Sequence, residues 1–239
     1  MITLVSGLLP CLDRERREAE WIHFADLLQA TGLPLVLYGE PTLLAKVEGP
    51  VLRPVDEHAL RRGLWRHEEL QLLTDSAGHG PDEGLERMAR LRAVGWLHDE
   101  SIFNPYGSQG FVWLDPRLLD EVQPAYLAEG GALSLIEPLL DPVLLLGRGD
   151  CGDGREFSDA LFGGTAARLS AVNQAYWHAY ATMIDQRQIP SFASLMTILW
   201  EELPGSFQRF NLQSNGLAGA FFEAVPRGPM PLEALHLCT

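Results

Sequence analysis

Cysteine is scarce in this chain. Cys11, Cys151 and Cys238 are its three cysteines in 239 residues, and no two form a C-x-x-C pair, so neither a zinc framework nor a disulfide scaffold is indicated. Reduced thiols of a cytoplasmic protein are the expectation. Basic side chains are also few, 18 against 32 acidic ones, for a formal charge of -14. Such a surface repels nucleic-acid backbones and anionic membrane leaflets, which disfavours both as main partners. A local basic cleft remains compatible with a pyrophosphate, because a ligand feels the field of its own cleft.

Long hydrophobic runs are missing as well. The amino terminus, MITLVSGLLP, is apolar for only about ten residues and has no basic leader, so neither a signal peptide nor a membrane span is expected. Several catalytic signatures are absent too. His67-Glu68-Glu69-Leu70 lacks the second histidine of H-E-x-x-H. Ser6 in Val5-Ser6-Gly7 lacks the preceding glycine of a nucleophile elbow. Gly147-x-Gly149 and Gly152-x-Gly154 complete neither G-x-G-x-x-G nor a P-loop. No internal repeat is visible.

What is present is apolar material for one core, 46% of residues, in a chain of single-domain length. Ile2 to Ser6 reads as a buried strand ending at Gly7. A helix opens over Asp13 to Glu20, carries Trp21, Phe24, Leu28 and Thr31 at helical spacing, and stops at Gly32 and Pro34. Pro34 to Tyr38 is a second buried strand, and Gly39-Glu40-Pro41 reads as a turn incompatible with helix. This strand-helix-strand unit implies a parallel pair. Ligands in open α/β sheets bind beyond the carboxyl ends of such strands, where Ser6-Gly7 and Gly39-Glu40 would meet.

Further along, strands are expected at Val51 to Val55, Gly110 to Leu114, Pro142 to Gly147, Leu161 to Gly164 and Ala234 to Leu237. Helices are expected at about Glu57 to Leu73, Glu83 to His98, Pro116 to Glu129, Thr165 to Arg187 and Ser191 to Leu203. The pair Gly163-Gly164 reads either as a plain strand-to-helix turn or as a place where backbone approaches a sugar or phosphate. The sum is an α/β fold with a mixed, mostly parallel sheet flanked by helices.

Asp115 follows the apolar run Phe111-Val112-Trp113-Leu114, so a carboxylate stands where a buried strand leaves the sheet. There it can hold a divalent ion against a diphosphate, or it can cap a helix beginning at Pro116. Arg117 stands where an acidic pair flanking one residue would place its second aspartate.

In order, Thr3-Leu4-Val5-Ser6-Gly7, Phe24-Ala25-Asp26-Leu27-Leu28, Leu35-Val36-Leu37-Tyr38-Gly39-Glu40, Asn104-Pro105-Tyr106-Gly107-Ser108, Phe111-Val112-Trp113-Leu114-Asp115 and Phe162-Gly163-Gly164 resemble the HtrL/YibB family of bacterial proteins, regarded as glycosyltransferase-like. The resemblance implies a single GT-A-like domain over 1–239, with a nucleotide-binding half (1–115) and an acceptor-side half plus tail (116–239). It implies a nucleotide-diphosphate sugar as donor, Mn²⁺ or Mg²⁺, and a glycan, polypeptide or small-molecule acceptor. Ser6, Gly7, Tyr38, Gly39 and Glu40 would line the nucleotide pocket. Arg87, in place of a lysine, would meet phosphate or donor sugar with altered geometry. Asn104 would belong to the donor contacts, Asp115 to the metal or ribose, and Gly163 and Gly164 to a bound sugar.

The sequence also departs from that pattern. Ser191-Phe192-Ala193-Ser194 stands where relatives carry an acidic pair, and Glu201, with Glu202, is the substitute carboxylate further along that helix. Two functions follow: a glycosyltransferase, or a catalytically weakened nucleotide- or glycan-binding protein on the same fold.

Overall fold

The computed structural model describes residues 1–8, 14–55, 81–116, 137–148, 156–211 and 237–238. The expected helices at 57–73 and 116–129, the loop at 149–154, Arg117 and the tail from 212 to 236 lie outside them.

The amino-terminal strand β1 (Ile2–Leu8) is followed by helix α1 (Arg14–Ala30), then β2 (Leu35–Gly39), the short helix α2 (Pro41–Leu44) and β3 (Val51–Pro54). Helix α3 (Pro81–Phe103) leads to β4 (Gly110–Leu114). A 3₁₀ turn at Glu137–Leu139 precedes β5 (Val143–Arg148) and β6 (Glu156–Thr165). Helices α4 (Ala166–Asp185) and α5 (Phe192–Glu202) then return to β7 (Phe207–Asn211), and β8 (Leu237–Cys238) closes the set. The eight strands among the described residues form one sheet in the order β3-β2-β1-β4-β6-β5-β7-β8. β1 to β4 run parallel, as do β5 and β7, while β6 is antiparallel to both β4 and β5, and β8 to β7. The sheet is therefore mixed and mostly parallel.

Apolar residues fall on both sides of the central strands because both sides are covered. In β2, Val36 and Tyr38 join the core shared with α3, α4 and α5, whereas Leu35 and Leu37 join the core under α1 and α2. In β4, Phe111 and Trp113 take the first side, Val112 and Leu114 the second. Trp21, Phe24 and Leu28, spaced for one helix face, are buried in α1, together with Ala25. No helix among the described residues is long and apolar enough to cross a membrane.

Two local expectations change. Glu40-Pro41 is a helix start: Glu40 is the extended N-cap of α2 and Pro41 its first residue. Proline is favoured there because that N–H has no intrahelical partner to lose. The pair Gly163-Gly164 lies inside β6, opposite Val112 and Phe111 of β4, and forms no turn. A Cβ on Gly163 would come within 2.7 Å of the Phe111 carbonyl oxygen and 3.0 Å of Leu140 Cδ2, and one on Gly164 within 3.0 Å of Val143 Cγ2. Close packing of strands and the residues before β5 is what these two positions require. The strand β7 had no counterpart in the sequence reading, since Phe207-Gln208-Arg209-Phe210 carries no clean alternation of apolar and polar residues.

Candidate functional site

The order β3-β2-β1-β4 reverses direction between β1 and β4. Chain connections on either side of such a switch leave in opposite directions, opening a crevice at the carboxyl ends of the two strands. Ser6, Gly7 and Asp115 lie at this edge, and Gly39 and Glu40 at the neighbouring end of β2.

Not all of these groups are available to a ligand. The Ser6 hydroxyl is fully buried and donates to the Leu114 carbonyl at 2.7 Å, tying the two switch strands together. Gly7 faces aromatic rings: a Cβ there would lie 2.9 Å from Trp113 Cη2 and 3.3 Å from Trp96 Cζ3. Tyr38 stacks on Trp96 with centroids 4.9 Å apart. Its hydroxyl donates to Glu100 Oε1 at 2.8 Å, so it is committed to the interior. Glu100 also accepts from Arg53 Nε at 2.7 Å and Nη2 at 3.2 Å. Burial, then the bond to Glu100 and that carboxylate's charge, hold the Tyr38 phenol well above the ordinary tyrosine range. The bond to Glu100 likewise raises Arg53. At the end of β2, Glu40 Oε1 accepts from Thr42 Oγ1 at 2.9 Å, and the Gly39 carbonyl accepts from Val55 N at 2.7 Å.

Asn104 lies at the opposite edge, in the connection from α3 into β4. Its side chain bridges Ser108, accepting from Ser108 N at 2.7 Å and donating to the Ser108 carbonyl at 3.0 Å. With φ of +40° at Asn104 and +67° at Gly107, this is a tight turn whose shape the amide fixes. Gly163 and Gly164 also lie toward that edge, level with the first half of β4. Glu201 is exposed on the last turn of α5.

Asp115 is the first residue after β4 and nearly buried, and its N–H donates to the Ala160 carbonyl at 2.9 Å. That carbonyl belongs to a distortion of β6. Leu145 of β5 pairs with Phe162, but Leu146 pairs with Ser158, so Asp159, Ala160 and Leu161 are extra residues relative to β5. Bulges of this kind re-aim side chains beside sites. Asp159 pairs across to Arg90 of α3, with Nε 3.8 Å from Oδ2. Arg87 stands one turn ahead of Arg90 and is half-buried. Tyr176 of α4 is fully buried, and among the described residues its hydroxyl has no hydrogen-bond partner.

Asp159, Arg90 and Tyr176 escaped the sequence reading. Asp159 owes its position to a bulge defined by pairing with β5, and no local pattern in Ser158-Asp159-Ala160 announces it. Arg90 alone carried a signal, as one of the arginines projecting off the apolar side of α3.

The fold is thus an α/β sheet with helices on both faces and a topological switch between β1 and β4. The sequence matches no protein-family model and no curated protein. Among solved structures, the chain is similar to a glycosyltransferase involved in the glycosylation of the major capsid of PBCV-1, at 16% identity and a TM-score of 0.46, over 88% of this chain and 81% of that one. It is also similar to mouse xyloside xylosyltransferase 1 in its apo form, at 11% identity and a TM-score of 0.42, over 87% and 84%.

Proposed function

We propose that this chain is a GT-A-like glycosyltransferase that binds a nucleotide-diphosphate sugar at the β1–β4 switch and passes the sugar to an acceptor hydroxyl. The observation that carries the reading is the carboxylate of Asp115 at the carboxyl end of β4, where the strand order reverses, with Arg90 and Arg87 of α3 on the same side. A crevice with one carboxylate and two cations suits a polyphosphate ester better than a neutral ligand.

Among the described residues no three His, Cys, Asp or Glu side chains gather as a metal-ligand set. Mg²⁺ or Mn²⁺ at a diphosphate needs only one or two protein carboxylates, the phosphates supplying further oxygens, so Asp115 fits as the single protein ligand. When bound, the ion offsets charge on the departing diphosphate. The chain's own contribution is positional. Ser6 pins β4 to β1, which fixes the strand end that carries Asp115. The acceptor, a glycan, polypeptide or small molecule, supplies the hydroxyl that attacks the anomeric carbon as the nucleoside diphosphate leaves. The proposal extends to the HtrL/YibB resemblance and to one cytoplasmic domain whose first half binds the nucleotide.

Ser191 and Ser194 favour a second reading. In place of an acidic pair, the two serines cap α5 reciprocally: Ser194 N donates to Ser191 Oγ at 3.1 Å, and Ser191 N to Ser194 Oγ at 2.9 Å. A binding protein that has lost chemistry would look like this. A thermal-shift screen against nucleoside diphosphates and sugar nucleotides, with and without Mn²⁺, tests both readings. A donor at a hundred times its Kd adds about 2.7 kcal/mol of stability. Stabilisation with slow donor hydrolysis supports the transferase, stabilisation without turnover supports a nucleotide binder, and no shift from any nucleotide sinks the transferase and leaves a glycan binder.

A further inference from the structure

Helices α3 and α4 pack against each other, and a chain of polar contacts crosses between them. Trp177 Nε1 donates to Asn173 Oδ1 at 2.9 Å, one turn back on α4, and Asn173 Nδ2 lies 3.2 Å from His98 Nδ1 on α3. An indole N–H can only donate, so the oxygen of Asn173 faces Trp177 and its NH₂ faces His98. An NH₂ has only protons to offer, so Nδ1 must accept. The neutral imidazole with its proton on Nε2 satisfies this chain, and an imidazolium, with N–H on both nitrogens, does not. Turning the amide over would only move the conflict to Trp177. A second partner for the same nitrogen stands close by: Asp99 Oδ1 is 3.6 Å from Nδ1, on a side chain 50% exposed where that of His98 is 15% exposed.

We propose that His98 is a proton-controlled positioning residue for α3: neutral, it clasps α3 to α4 through Asn173, and protonated, it turns to Asp99 and gives up the clasp. Acid thereby moves one bond from between two helices to within one. The same stretch of α3 is fitted to α4 around Trp177, since Arg92 lies over the indole ring at 6.0 Å and a Cβ on Gly95 would be 3.5 Å from its Cζ2. Asn173 and Trp177, which α4 sets against His98, are neutral. Of the charged residues of α4, Arg168 pairs with Asp141, and His178 and Asp185 are exposed. On the α3 side stand Asp99, Arg92 and the Glu100 carboxylate, the last held by Tyr38 of β2 and Arg53 of β3. From β6, Asp159 pairs with Arg90, about 12 Å up α3 from His98.

Arg87 and Arg90 ride on α3, so the clasp fixes where these two cations stand. That consequence rests on the diphosphate reading, whereas the clasp itself does not. Diphosphate affinity should fall about fivefold between about pH 8 and about pH 5.5, beyond whatever the ligand's own protonation takes, since one hydrogen bond between the helices is lost. His98→Gln keeps an acceptor that takes up no proton and should lack this extra fall. Asn173→Asp supplies an acceptor for both Trp177 and the imidazolium, so it too should hold its affinity in acid. A histidine that merely fills space would leave the three pH profiles alike.

Two measurements on the full chain decide it. Nitrogen NMR of the ligand-free protein should show His98 as the Nε2–H tautomer at about pH 8, with the Asn173 side-chain amide resonances moving as His98 takes up its proton. An Nδ1–H tautomer, or an Asn173 amide indifferent to that titration, overturns the clasp. Calorimetric titration with inorganic pyrophosphate at both pH values, in wild type, His98→Gln and Asn173→Asp, reads the positioning, and an equal loss in wild type and His98→Gln overturns it. Absence of pyrophosphate binding by the wild-type chain at the higher pH removes the diphosphate reading and the positioning role with it, while the NMR result still judges the clasp.

Discussion

At the scale of single residues, the polar and small groups nearest the β1–β4 edge serve the interior more than a ligand. Gly7 shows this best. Its missing side chain makes room for Trp113 and Trp96, part of a row of rings running from Tyr38 through Trp96, Trp113 and Phe162 to Phe192 with neighbouring centroids 4.9 to 6.2 Å apart. Gly7→Ala should therefore cost about 1–3 kcal/mol through overpacking, read as a lower urea midpoint with unchanged m. Nucleotide affinity of the folded fraction should hold. A variant of normal stability and poor affinity would show that Gly7 is needed by the ligand after all.

Tyr38 supports a second prediction at the same scale. Its phenol stays protonated in the fold well beyond the ordinary tyrosine value, through burial and the Glu100 carboxylate, and Tyr176 is raised in the same direction by burial. The unfolded chain releases these protons near pH 10, so it gains from rising pH what the folded chain cannot. Stability is unaffected below that pH and falls as pH climbs above it. Thermal midpoints measured from pH 8.5 to 11 should drop, and Tyr38→Phe should flatten the drop. An equal slope in that variant would remove Tyr38 from the account.

At the scale of elements, helix ends decide more than propensities. The start of α5 is held by the reciprocal bonds of Ser191 and Ser194, and the helix lays Phe192, Leu195, Met196 and Leu199 on the core. Ser191→Ala should cost about 1 kcal/mol, whereas Ser191→Asp keeps an acceptor for the N-terminal N–H groups and should be near neutral. Chemical denaturation of the two variants checks this. Equal loss in both would mean that the hydroxyl is used for something other than capping. The bulge in β6 works at this scale too, since it turns a regular edge into one that carries Asp159 and anchors Asp115 through Ala160.

At the scale of the whole molecule, strand order makes the crevice. Asp115 reaches it as the end of β4, pinned by Ser6 on one side and Ala160 on the other. Asp115→Asn keeps size and backbone bonds, so the unfolding transition should stay within about 1 kcal/mol of wild type, while Mn²⁺-dependent stabilisation by a sugar nucleotide disappears. Undiminished metal dependence in the variant would move the ion elsewhere.

The sequence by itself determined the parallel opening unit, because apolar runs such as Leu35 to Tyr38 can be satisfied only as strands covered on both faces. It likewise placed Asp115 at a strand end, because an apolar run stops there. Only the tertiary structure decided which groups stand together at the crevice. Tyr38 and Ser6 turned inward to partners 62 and 108 residues away in sequence, and Asn104 and the pair Gly163-Gly164 fell toward the opposite edge. Asp159 came forward through a bulge that exists only in the pairing of β5 with β6. Periodicity along a chain reports which side of an element is apolar; which polar atoms meet depends on strand order, register and burial, and those are properties of the assembled sheet.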